Sequence, residues 1–465
     1  MSGTEANKAG GKRSWHTSRI ILYVLQGISL GFIFWHYRQL QHHVEGQAVA
    51  AKLAAQASTQ PSAANIPGSL PPLAPLPMPT DLHFTGNVTD AITHQPVKGF
   101  IIQIGHRMNG IPITIMDEPI SIRFDASYSV AQSRWDKTGQ WVVKVIAHGY
   151  LPATSPPLQE SATHDFALTP APDLVGKVLD PNGQPAGGVT ITLATPGISA
   201  LFHDLTTTSP ACLHDETGDD GKFDLPPPGG HFLLVAMGEA GCATADQDQF
   251  AHSHEIQLAK WAAIKGHVMV GTRSASNQGV RVASSIRGAN VLTEPSVSFT
   301  IDKTTDGEGN FKFDRVPAAE VSVGRVVPQM IGPNRPMRGI TQLQNIVAAP
   351  GVVTTVNIGG TGRPVTGKLI IPAGMIKDHY FLRGNIWSDD GNSADRRDYV
   401  MELNDDGTYV IQDVLPADYR VIIEFYSVGN SPHVAPVLTD FTMPPIPGGR
   451  SDEPLVLPDI QLSTR

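Results

Sequence analysis

The chain has 465 residues and a formal net charge of −9. That length exceeds one ordinary core and argues for several domains, at about 150 residues each, while the acidic balance, with no long basic run, removes the electrostatic footprint of a nucleic-acid binder. With 38 Pro, 45 Gly and only 17% charged residues, the composition favours short strands joined by turns, an all-β chain.

Residues 1–19 form a short tail in which Lys8, Lys12, Arg13 and Arg19 oppose only Glu5. The segment 20–37 follows, and from Ile20 to Trp35 it carries no charge. A spanning helix needs roughly 17 to 25 predominantly apolar residues. The segment therefore reads as a single transmembrane anchor, with Trp35 and Tyr37 at one interface and the basic tail in the cytoplasm. A cleavable signal peptide is the competing reading, but the polar "HYRQLQHHVEGQ" separates the apolar run from the small residues of "AVAAKLAAQA". Gly27 and Gly31 stand at the G-x-x-x-G spacing that lets two membrane helices approach, and so allow a homodimer. The same letters, "GISLG", match a serine nucleophile elbow, which needs a strand, turn and helix that a bilayer segment does not supply. Residues 38–80 are Ala-rich and then Pro-rich, a semi-rigid extended stalk. Everything beyond it is expected to be periplasmic or extracellular, where disulfides are permitted.

From Asp81 the chain repeats. Units open at Gly86, Gly176, Gly266 and Gly367, roughly 90 to 100 residues apart, the size of a small sandwich. The expected modules are 81–171, 172–260, 261–360 and 361–465. A second signature recurs in "DDGKFDLPPPGG", "DGEGNFKFDRVP" and "DDGTYVIQDVLP": an acidic Gly turn, an aromatic, an apolar residue two positions on, then a Pro. Because strand side chains alternate, Phe223 with Leu225, Phe311 with Phe313 and Tyr409 with Ile411 are expected on core faces. The first unit carries the same idea in "DASYSV".

These patterns resemble the carboxypeptidase regulatory-like domain, a transthyretin-like β-sandwich. The resemblance is carried by "GNVTDAITHQPVKG", "VIAHGY", "GKVLDPNGQPAGGV" and "DDGKFDLPPPGG", and in the fourth unit by "DDGTYVIQDVLPADYRV". It implies tandem small β-sandwich modules behind the anchor and stalk. It also implies a mostly noncatalytic role in which the motif residues serve turns and core.

Chemical motifs are few. Asp306, Glu308 and Asn310 imitate the start of a calcium loop, but Phe311 and Pro317 stand where an EF-hand needs Gly and a bidentate Glu; a hairpin turn is the better reading. "HSHE", His252 to Glu255, has zinc-like spacing, and a strand there would turn His252 and His254 to one side. No separate catalytic unit fits between the repeats. Cys212 and Cys242 read as buried small residues or one intradomain disulfide. Trp135, Trp141 and Trp387 are candidates for stacking on sugars, or packing. No catalytic, cofactor or metal-binding residue is assigned. The sequence thus points to a noncatalytic extracytoplasmic scaffold recognising protein, peptide or carbohydrate. The alternatives are a spacer, a sensor signalling through the anchor, or a metal hydrolase built on His203, His214, His252 and His254.

Overall fold

The computed structural model describes residues 81–107, 114–115, 121–132, 140–287, 294–328, 338–370, 380–388, 397–404, 406–427 and 437–462. The expected tail, anchor and stalk lie outside them, as do Gly27, Gly31 and Trp135. The regular structure of the described residues is almost entirely strand, in eight sheets. They pair into four sandwiches, each around its own apolar cluster.

Every sandwich is built on the same local device. Its opening strand pairs antiparallel with the strand carrying the aromatic of the second signature. The register sets glycine against ring each time: Gly86 opposite Tyr128, Gly176 opposite Phe223, Gly266 opposite Phe311 and Gly367 opposite Tyr409. A Cβ on these glycines would stand 2.8, 2.6, 2.7 and 2.7 Å from a carbon of the facing ring. The ring therefore lies over bare backbone and fills the space a side chain would take, closing the sandwich. Residues two positions away on the same face, Phe84 and Val88, Val178, Ile264 and Val268, and Val365 and Leu369, are fully or nearly fully buried. So are Phe223, Leu225, Phe311, Phe313, Tyr409 and Ile411.

One element departs from the sequence reading. Gln247–Ser253, which leads into the stretch where a strand would have turned His252 and His254 to one side, is a short α-helix. Asp246 caps it, accepting from the Gln249 N–H at 2.8 Å, while the Gln249 side chain accepts from the Asp246 N–H at 3.1 Å. This reciprocal box satisfies two of the helix's orphan donors. The helix buries Phe250 between the rings of Phe223 and Phe232, at centroid distances of 5.9 and 6.2 Å.

The second and third sandwiches share a sheet. Ala200–His203, an excursion from the second, runs parallel to Ser296–Thr304 of the third and, with Thr206–Thr207 paired on its outer side, extends that sheet from four strands to six. Phe202 stacks on Phe299 at 4.9 Å and 14°. Asp204 and Leu205 turn the excursion with φ of 47° and 63°, a conformation that costs a non-glycine residue about 1 kcal/mol or more. Leu205 offsets that strain by packing against the third core.

Cys212 and Cys242 are free, buried thiols. They sit in an apolar cluster to which Val142 of the first sandwich and Val297 and Phe299 of the third also belong. Burial pushes both thiols up to about 12.

The glycine–ring register predicts that Gly176→Ala, whose Cβ would stand 2.6 Å from both the Phe223 and Phe250 rings, forces them aside and lowers stability by about 1–3 kcal/mol. Gly307→Ala, with nothing within 4 Å of its Cβ, is expected to be neutral in the same urea titration.

Candidate functional site

The residues with chemistry that the sequence singled out do not converge. His203 lies on the excursion, its Nδ1 3.2 Å from the Thr300 hydroxyl. His214 is exposed on Leu213–Glu216. His252 is in the last helical turn, and His254 caps it with φ of 54°. The two histidines are thus on a helix end, not side by side on a strand. Asp306 spends its carboxylate on its own turn, accepting from the N–H of Asn310 at 2.8 Å and of Glu308 at 3.0 Å, and from the Asn310 amide at 3.2 Å. The Asn310 N–H foremost holds that carboxyl below its ordinary range. Trp141 is buried, its ring 5.1 Å from that of His106, and Trp387 is half-buried.

What does converge lies at the junctions between sandwiches. At the first junction, Ile101 and Ile146 of the first sandwich join the core of the second, and the Gln103 amide donates to the Ala211 carbonyl at 2.6 Å. Gln103 is completely buried, and among the described residues its Oε1 finds no hydrogen-bond partner, nor do the hydroxyls of Thr192 and Thr195 in the second sandwich. Lys144, directly across the strand pair from Gln103, lines a cavity with Thr195, Ala211 and Leu213 that has room for about one water. Burial pulls the Lys144 amine down to about 8.

At the same junction the turn His148–Gly149 meets the linker and a strand of the second sandwich. His148 Nδ1 lies 3.0 Å from Asp173 Oδ2 and 3.7 Å from Asp224 Oδ1. The other oxygen of Asp173 accepts from the Gly149 N–H at 2.6 Å. The three ligand atoms all lie within 4.8 Å of one another. Sequence reading assigned these residues no role. His148 and Asp224 appear in the quoted motifs "VIAHGY" and "DDGKFDL", but no local spacing joins them.

The third junction is polar. Arg325, almost wholly buried, donates to Glu402 of the fourth sandwich at 2.6 Å and to Gln278 and Gln342 at 3.3 and 3.4 Å. Gln342 passes the chain on to Asp413 at 3.0 Å, which also accepts from the Gly271 N–H at 3.3 Å. Gln342 and Asp413 both have positive φ, 56° and 57°. Two irregular backbone positions thus face one another, and burial raises the Asp413 carboxyl above its ordinary range.

No family model matches the chain, and no curated protein is similar to it. Among solved structures, the chain is similar to the TIE protein of Bacillus anthracis, at 10% identity over 78% of this chain and 68% of that one, with a TM-score of 0.15. It is similar to a streptococcal ancillary pilin at 10% identity, over 60% and 99%, with a TM-score of 0.18. The major pilin subunit of Bacillus cereus gives 9% identity, the same coverage and 0.15. Superpositions this loose carry no weight for function, and the β-sandwich architecture stands on the sheets themselves.

Two outcomes are expected. Arg325→Met leaves Glu402 unpaired and costs about 2–4 kcal/mol, somewhat under the fully buried range because Glu402 keeps some solvent; adding Glu402→Leu recovers most of it in a double-mutant cycle. Lys144→Met removes an amine that is charged in the unfolded chain and loses its proton more easily in the fold. The variant is therefore more stable by about 1–3 kcal/mol below pH 8. The advantage fades as pH rises from about 8 to 10.5, as paired denaturant titrations would show.

Proposed function

We propose that the chain is a noncatalytic scaffold of the cell envelope, held at the bilayer by residues 20–37 with its N-terminus cytoplasmic and its sandwiches outside. The observation that supports it best is the pairing of Ala200–His203 with Ser296–Thr304. A strand lent by one sandwich to the sheet of the next makes backbone hydrogen bonds continuous between them and serves no reaction. The other two junctions add an apolar seam and a buried ion pair. On this reading the modules are of carboxypeptidase regulatory-like type, on the motifs that open and close them.

A scaffold of this kind takes its partners at sheet edges. Arg338–Val347 is the outer strand of the six-stranded sheet. Its N-terminal half meets the fourth sandwich, where Val400 N–H donates to the Thr341 hydroxyl at 3.2 Å. Further along, Leu343 and Val347 are exposed, an edge on which an extended peptide segment would add as a further strand.

Mechanical unfolding of the full chain tests the proposal. Held by its ends, the second and third sandwiches should give way in a single event, and Phe202→Ala should divide it into two smaller ones. Four independent events in the unaltered chain would mean that the shared sheet transmits no load, and would overturn the scaffold reading.

A further inference from the structure

We propose that His148, Asp173 and Asp224 form a divalent transition-metal site, with zinc the best-fitting ion, that pins the first sandwich to the second. One imidazole nitrogen and two carboxylates are the ligand chemistry of zinc and its neighbours. Calcium and magnesium prefer all-oxygen sets of six or more, and copper(I) prefers sulfur.

The spacing fits. Tetrahedral ligands bound at about 2.1 Å stand about 3.4 Å from one another. The distances from His148 Nδ1 to the two carboxylates, 3.0 and 3.7 Å, lie on either side of that value. The widest separation in the group, at most 4.8 Å, closes by rotating Asp224, whose side chain is 56% exposed.

The surroundings prepare the site. The Gly149 N–H holds Asp173 Oδ1 and leaves Oδ2 aimed at His148. Asp215 accepts from the Asp224 N–H at 2.8 Å, fixing the strand that carries this ligand and adding a third carboxylate nearby. Among the described residues, no Lys or Arg pairs with Asp173, Asp224 or Asp215. A divalent ion supplies the positive charge these carboxylates lack from any side-chain cation, His148 binds it through the Nδ1 lone pair, and solvent supplies the fourth ligand at this open position.

The consequence is positional. His148 belongs to the first sandwich, Asp224 to a strand of the second, and Asp173 to the linker that leads into it. An ion shared by the three therefore ties one module to the other beside the seam formed by Ile101, Ile146 and Gln103.

The test uses the full chain without an affinity tag, stripped of metal, and zinc chloride as the probe. Calorimetric titration should give one saturable zinc per chain, and the melting temperature should climb with each decade of free zinc above Kd. Cobalt(II) in place of zinc should give the visible bands of a four-coordinate nitrogen and oxygen site. His148→Ala and Asp224→Asn should each weaken zinc by more than the roughly 10–100-fold that loss of a supporting residue costs. Because both side chains are largely exposed, the metal-free melting temperature of each variant should match that of the parent. His214→Ala and His252→Ala should change nothing. Absence of saturable binding, or binding that survives His148→Ala, would overturn the proposal.

Discussion

In each of the four sandwiches an aromatic ring rests on a glycine of the neighbouring strand, and the remaining architecture depends on that contact. Without a side chain on the glycine, the ring can lie flat against backbone and reach the opposite sheet. Any other residue there would displace the ring, and at Gly86 and Gly266 it would also strike the backbone carbonyl of His164 or Val356. The register follows, because a slip of one residue would set the ring against a side chain and turn the core residues toward solvent. In the second module the arrangement is extended: Phe250 from the short helix also leans over Gly176, so two rings share one bare stretch of backbone.

The junctions solve a common problem with different physics. Apolar side chains cross the first, main-chain hydrogen bonds cross the second, and an ion pair with its amide relay crosses the third. An apolar seam resists water, and a shared strand resists pulling. The buried Arg325–Glu402 pair resists mispairing, since any rearrangement that separates them leaves a charge without its partner. Some local strain is accepted in return, at Asp204 and Leu205 in the excursion and at Gln342 and Asp413 in the relay.

Much of this was legible in the chain. The four glycines, the aromatics and their alternating apolar neighbours are local patterns, and local pattern is what sequence displays. The pairing of each glycine with a ring some 40 residues away is not, because nothing local encodes a register. The helix at Gln247–Ser253 was within reach: Asp246 and Gln249 are a capping box, but a strong expectation of strands obscured it. The meeting of His148, Asp173 and Asp224 was out of reach. It depends on how two modules dock, and the first two residues are already 25 positions apart.

The buried thiols acquire a different meaning once the shared cluster is considered. Cys212 and Cys242 are sealed by side chains from three modules, and a neutral thiol so enclosed is a poor nucleophile. Alkylation or oxidation of either waits on an opening of that cluster. The chain thus carries its own chemical reporter: the rate at which those sulfurs become reactive measures how often the shared cluster opens, with no probe added to the surface.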